Sequence, residues 1–335
     1  MTVKTDNPFH EWIRLEQSRL GTRVVYATDD FFAAKERLID AADAVFIADK
    51  YDEHGKWMDG WESRRKRTAG HDYCIVRLGI PGIVHGFDID TSHFTGNYPP
   101  AASIDACVSQ ADIPADDANW QELLPQTRLD GDSHHFVPLD EGAAVTHLRL
   151  NIYPDGGVAR LRIYGEVTPE WSSADSDQRM DLFAIENGGR AIYCNDEHFG
   201  SMHNLNLAGR GVNMGDGWET ARRRRPGNDW VVIALGHPGT IEEIEIDTLH
   251  FKGNYPDRVE LRAALMLDGD DQITGSEEWA VLLPESKLEM DRQHLFYSTL
   301  QDVGVVSHVR MNIFPDGGVS RLRLHGKIAV GEQSS

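Results

Sequence analysis

The hydrophobic positions of this chain recur with the period of strands. YCIVRLG (73–79) and DWVVIALG (229–236) are largely apolar runs that resemble buried strands. IVHGFDIDT (83–91) and IEEIEIDT (241–248) alternate apolar with polar, as do THLRLNIY (146–153) and SHVRMNIF (307–314). Each of the last pair runs into PDGG, a turn in which proline presets one backbone angle and the glycines allow those that follow. VARLRIYG (158–165) and VSRLRLHG (319–326) then read as returning strands, so each closing block predicts a hairpin or a tight corner. FFAAKERLIDAA (31–42) is the main helix-compatible stretch inside the first half, a helical turn or short helix.

These segments come in pairs because the chain repeats itself. Residues 59–100 align without a gap to residues 216–257, with 21 of 42 positions identical. Residues 147–165 match 308–326 at 13 of 19 positions, and YATDDFF (26–32) pairs more weakly with YCNDEHF (193–199). Along these blocks the offset runs from 167 through 157 to 161, so a whole domain was duplicated and the loops between blocks changed length. Many short strands without long helices predict an all-β chain of tandem duplicated jelly-roll, galactose-binding-like, β-sandwiches. The expected boundaries are an N-terminal segment 1–19, a first repeat 20–170, a linker 171–185 opening on the polar WSSADSD, a second repeat 186–330 and a tail 331–335.

Composition narrows the function. A chain of 335 residues exceeds what one core usually organises, and 40% apolar residues supply two. A net charge of -21 argues against a nucleic acid or an anionic membrane as partner. The N-terminus lacks the apolar stretch of a signal peptide, and no run approaches the roughly 20 apolar residues that span a bilayer, so the expectation is a soluble, cytoplasmic protein. Cys74, Cys107 and Cys194 form no CxxC pair and read as core or near-core thiols.

Candidate chemistry lies in the repeated strings. DGWE places Asp59, Trp61 and Glu62, and again Asp216, Trp218 and Glu219, just ahead of basic runs containing Arg65 and Arg222. Carboxylates move protons or accept ureido N–H groups, and a guanidinium fork grips a carboxylate. The competing structural reading is a capped turn with a core tryptophan and a solvated basic face. DTSHFTGNYP (90–99) and DTLHFKGNYP (247–256) carry His93 and His250, titratable near neutrality, with Asn97, Tyr98, Asn254 and Tyr255 as oriented hydrogen-bonding groups. A histidine bonded to backbone in a loop fits the same string. Asn151, Asp155 and Arg160, with Asn312, Asp316 and Arg321, flank the PDGG turns, which they equally satisfy as structure. Asp29 and Asp30, opposite Asp196 and Glu197, form acidic pairs suited to a metal, to ureido nitrogens or to capping. No cofactor is evident, and a divalent metal is not indicated by ligand spacing.

Taken together, D-D/E-x-F, DGWE-[ST] with its basic run, D-T-x-H-F-x-G-N-Y-P and N-I-x-P-D-G-G-V-x-R resemble the allantoicase family over roughly residues 20–328. That resemblance implies hydrolysis of allantoate to ureidoglycolate and urea. Set against that reaction, the residues suggest a catalytic set drawn from His93 or His250 as acid and Glu62 or Glu219 orienting or deprotonating water. Arg65 or Arg222, helped by Arg160 or Arg321, would hold the substrate carboxylate, and Trp61 or Trp218 would close one wall. The differences Arg64/Ala221, His71/Asn228 and Phe31/His198 make the copies non-equivalent. A tandem carbohydrate-binding module and a hydrolase of a related ureide such as ureidoglycolate are the alternatives. The expected partner is a small ureide, with homo-oligomerisation left open.

Overall fold

The structure is a computed structural model that describes residues 7–9, 12–140, 142, 144–169, 171, 177–266 and 274–329. The chain separates into two compact units, Met1–Thr168 and Pro169–Ser335. Residues 172–176 of the linker expected at 171–185, and the tail 331–335, lie outside the described residues.

The first unit contains β1 (Ile13–Arg14), β2 (Arg23–Ala27), β3 (Tyr51–Asp52), β4 (Gly55–Lys56), β5 (Trp61–Glu62), β6 (Asp72–Asp90), β7 (Ala101–Cys107), β8 (Gln121–Arg128), β9 (His134–Pro138), β10 (Ala144–Tyr153), β11 (Gly157–Val158) and β12 (Arg160–Val167). The second repeats the plan as β13 (Met180–Asp181), β14 (Arg190–Cys194), β15 (Trp218–Glu219), β16 (Asp229–Asp247), β17 (Arg258–Ala264), β18 (Ala280–Lys287), β19 (Gln293–Phe296), β20 (Val306–Phe314), β21 (Gly318–Val319) and β22 (Arg321–Ile328). Each unit is an antiparallel jelly-roll sandwich whose main sheet has eight strands, ordered β1-β12-β6-β10-β7-β8 in the first, with β2 and β9 also pairing β6, and β13-β22-β16-β20-β17-β18 in the second, with β14 and β19 also pairing β16. The helix-compatible stretch after Phe31 forms only a 3-10 helix, Lys35–Ile39.

The two apolar runs read separately, buried and then alternating, are one strand in each unit. Along β6, β10 pairs with residues 72–77 and, after a break in register, with 82–83, and β2 pairs with 74–77, whereas β12 pairs with residues 82–90 and β9 with 86–90. A strand that changes partners at a bend forms the corner of a sandwich, and the sequence GIPG (79–82) supplies the bend. Because β10 and β12 lie on opposite edges of β6, PDGG joins them as a corner and not as a hairpin. Inside, Ile104, Leu148, Leu150 and Leu161 are fully buried, each contributing about 1.5–3 kcal/mol through burial.

The alternating polar positions of the closing blocks do not all face water. Arg310 on β20 is buried, donating to Ser276 Oγ at 2.7 Å and to Asn312 Oδ1 at 2.9 Å, because the segment around Ser276 covers that face. Cys74 and Cys107 are buried and Cys194 is half-buried, all three as free thiols.

Candidate active site

Three repeated strings meet at one end of each sandwich. Directly after each PDGG, β11 pairs with β5, matching Gly157 to Glu62 and Val158 to Trp61; β21 and β15 do the same with Gly318 and Glu219. The close approach needs glycine: a Cβ on Gly157 would meet the Phe94 ring at 2.0 Å, and one on Gly318 would meet Phe251 at 2.0 Å. The Gly157 amide donates to the Asn97 carbonyl at 2.7 Å, as Gly318 does to Asn254. PDGG, the Phe-x-Gly-Asn-Tyr loop and DGWE are thus locked together in both copies.

Their junction lines a cavity. In the first unit it measures about 330 Å³ and is bounded by Phe32, Glu62, Ser63, Arg65, Asn97, Tyr98, Pro154 and Asp155. In the second unit a cavity of about 470 Å³ is bounded by the counterparts Phe199, Glu219, Thr220, Arg222, Asn254, Tyr255, Pro315 and Asp316. Asn97 Nδ2 donates to Glu62 Oε1 at 2.8 Å, and Asn254 donates in the same way to Glu219. Burial lifts the Glu62 carboxyl above the ordinary glutamate range, and the Asn97 donor opposes that rise only in part. Asp155 Oδ2 accepts the Lys66 amide at 2.8 Å and Asp316 Oδ2 the Arg223 amide at 2.9 Å, which fixes the path of each basic run. Arg65 and Arg222, one residue earlier, are exposed and have no hydrogen-bond or ion-pair partner among the described residues. Each cavity therefore offers a half-buried carboxylate, a guanidinium without a partner among the described residues and a tyrosine.

Other residues singled out from the sequence lie elsewhere. Trp61 and Trp218 are fully buried, donating to the Asp29 and Asp196 carbonyls at 2.8 and 2.9 Å; they are core supports and not cavity walls. Arg160 is 1% exposed and spends its guanidinium on the Ala42, Asp59 and Ala159 carbonyls and on Asp59 Oδ2 at 2.8 Å. Arg321 makes the equivalent 2.8 Å contact with Asp216. These pairs knit the loop before DGWE to the sheet and present no open donor fork to a substrate. Asn151 bonds Ser103, Asp105 and His71 within the sheet, and Asn312 bonds Glu260 and Arg310. The acidic pairs are used locally: Asp29 holds Arg64 at 2.6 Å, and Asp196 accepts the Ala221 amide at 2.7 Å. Among the described residues, no group of three or more His, Cys, Asp and Glu side chains is arranged to hold a metal ion.

His93 and His250 combine two features. Both have left-handed backbones, φ 70° and 73°, with their amides held by Asp132 and Asp291 at 2.7 and 2.8 Å. Their Nε2 atoms donate to the Ala44 and Gly211 carbonyls at 3.2 and 3.0 Å. His93 also lines a second cavity of about 440 Å³, together with Phe32, Phe46, His54, Lys56, Met58, Glu62, Thr95, Asn97 and Asp132. Phe32 was not singled out from the sequence, whereas Asp155 and Asp316 were, as residues flanking the repeated PDGG turns. Phe46, His54 and Lys56 carried only an indirect signal, the change of repeat offset upstream of DGWE.

The allantoicase-repeat family model matches residues 13–168 and 180–329. The probable allantoicase 2 of Burkholderia pseudomallei (strain K96243) is 57% identical over 320 residues, covering 95% of both chains. The probable allantoicase of Ralstonia nicotianae (strain ATCC BAA-1114 / GMI1000) is 56% identical over 316 residues, covering 94% of each. The crystal structure of allantoicase from Saccharomyces cerevisiae superposes with a TM-score of 0.78 at 36% identity, over 94% of this chain and 92% of that one. No helix among the described residues is long and apolar enough to cross a membrane. With two copies of the family's repeat matched over nearly the whole chain, and relatives more than half identical, this chain belongs to the allantoicase family.

Proposed function

We propose that this chain hydrolyses allantoate to ureidoglycolate and urea, acting without nucleic acid or membrane in the cytoplasm. The observation that carries the reading is the junction of Glu62, Asn97 and Arg65 in one cavity, repeated by Glu219, Asn254 and Arg222. Allantoate has one carboxylate and two ureido groups on a single carbon. Arg65 or Arg222, free of partners among the described residues, takes the carboxylate as a charge-assisted pair. The nitrogen lone pair of one ureido group drives out the other, breaking its bond to the central carbon. Water forms the new C–O bond as Glu62 or Glu219, ionised, removes its proton. The departing urea nitrogen takes a proton from His93, which lines the cavity adjoining Glu62, or from His250 in the second copy. A half-buried carboxylate lining the same cavity as an arginine unpaired among the described residues supports an enzyme over a carbohydrate-binding module, whose sites rest on exposed aromatic platforms. Purified protein is to be incubated with allantoate and separately with ureidoglycolate, each with and without a chelator, and urea measured. Release from allantoate supports the reading, release from ureidoglycolate alone redirects it to that ureide, and release from neither refutes it; the chelator arm reads any metal requirement.

A further inference from the structure

The first repeat differs from the second by an insertion that builds on its cavity. From Phe32 to Asp59 is 27 positions, while from Phe199 to Asp216 is 17, so the first copy has ten more residues between the same two anchors. The extra length carries the β3–β4 ribbon, Tyr51–Lys56, and the loop before it. Phe46, His54 and Lys56 from this segment close the 440 Å³ cavity, with Lys56 Nζ 4.4 Å from the centre of the Phe46 ring and His54 packed 4.2 Å from Phe31. That cavity shares Phe32, Glu62 and Asn97 with the 330 Å³ cavity that holds Arg65. Glu62 therefore stands at a junction between two chambers of different chemistry. One offers a guanidinium, a tyrosine and Asp155; the other offers an ammonium, two imidazoles and Asp132.

The substrate proposed above poses a problem that such a junction solves. Its two ureido arms are chemically identical and sit on a prochiral carbon, so a symmetric pocket gives the enzyme no means of choosing which arm departs. We infer that the first repeat holds allantoate across both chambers, with the carboxylate and the retained ureido arm beside Arg65 and the departing arm in the chamber closed by Phe46, His54 and Lys56. This inference rests on the allantoate reading. The departing arm's carbonyl receives a proton donor from Lys56 or His54, and its N–H groups face the Asp132 carboxylate. The central carbon then lies at Glu62, and the departing nitrogen lies on the side of His93.

Phe46 and Lys56 are exposed, so the double variant Phe46→Ala/Lys56→Ala is suited to the test, with its thermal midpoint compared with wild type. Two quantities are measured on each protein: kcat/KM for urea release from allantoate, and the inhibition constant of N-carbamoylglycine, which has the carboxylate and one ureido arm only. The expected result is a loss of at least tenfold in kcat/KM with the inhibition constant changed less than twofold, since the one-armed compound fills the Arg65 chamber. An unchanged kcat/KM, or an inhibition constant that weakens in step with it, overturns the two-chamber site. A wild-type chain that releases no urea from allantoate instead refutes the underlying reading, and the inference with it.

Discussion

Asn97 donates to Glu62 at 2.8 Å across 35 residues of chain, and Asn254 donates to Glu219 across the same interval. The bond ties the Gly-Asn-Tyr loop to the DGWE strand, and it leaves Glu62 Oε2 without a partner among the described residues at the shared wall of two cavities. A half-buried acid held by one neutral amide is positioned without being neutralised, which suits it to exchanging protons with a ligand.

Replacing Glu62 and Glu219 together by Gln keeps shape and hydrogen bonding while removing the base. Urea release from allantoate is expected to fall by roughly 10²-fold or more, within the range usual for general acid–base groups. The two single variants then apportion the rate between copies. Unchanged kcat/KM in the double variant, with the thermal midpoint retained, removes these glutamates from the chemistry.

The same bond predicts a pH effect. Burial raises the Glu62 pKa and the Asn97 donor, which favours the ionised form, partly opposes it. Asn97→Ala removes the donor and lifts the pKa further. Activity that needs ionised Glu62 therefore loses its acid limb at a higher pH in the variant, as read from kcat/KM against pH. A limb that stays in place, or moves to lower pH, contradicts the assignment of Glu62 as base.

Arg65→Ala and Arg222→Ala remove guanidinium groups that no carboxylate among the described residues occupies. A charge-assisted hydrogen bond lost to solvent is worth about 1.5–3 kcal/mol, so KM for allantoate is expected to rise on the order of 10–100-fold in the copy that turns over. Lysine should restore this only in part, lacking the bidentate fork. Steady-state kinetics at constant ionic strength decides the point.

Arg160, by contrast, should report on stability. Its side chain is 1% exposed and pairs with Asp59, 11% exposed, at 2.8 Å. Arg160→Ala leaves that carboxylate poorly solvated and unpaired, with an expected loss of about 3–5 kcal/mol in chemical denaturation. A variant of full stability and altered KM would return Arg160 to the binding site.

His134 marks a pH-dependent difference between the copies. Its hydrogen bond to Asp88 at 2.8 Å lifts its pKa to about 9, although partial burial works against the charged ring. Gln293 takes its place in the second copy, opposite Asp247. Because the folded pKa lies above the unfolded one, the stabilisation is full below about pH 6.5 and disappears as pH rises through about 9. His134 is 36% exposed, so solvent screening limits the effect to at most about 1 kcal/mol. His134→Gln should lower the thermal midpoint by up to about 3 °C at pH 6 and leave it unchanged near pH 10. An equal difference at both pH values would exclude the ion pair as its cause.

Much of the architecture was legible because it depends on local periodicity and on duplication. Alternating and β-branched runs marked the strands, and the paired strings marked two copies of one sandwich. That β6 and β16 each join two segments into one strand across a corner was hidden, since partner exchange is a matter of long-range pairing. Glu62, Arg65, Asn97 and Tyr98 could be named from chemistry and repetition. Trp61, Arg160 and Asn151 could be named in the same way, yet burial turns them into supports, because repetition preserves what holds a loop as strictly as what a loop presents. The sequence by itself determined the strands, the duplication and the side-chain types gathered in the repeated strings. Only the tertiary structure decided which of those side chains face open space. The insertion of ten residues adds a second chamber beside Glu62, and the packing of Phe94 over Gly157 brings three strings distant in the chain to one cavity wall.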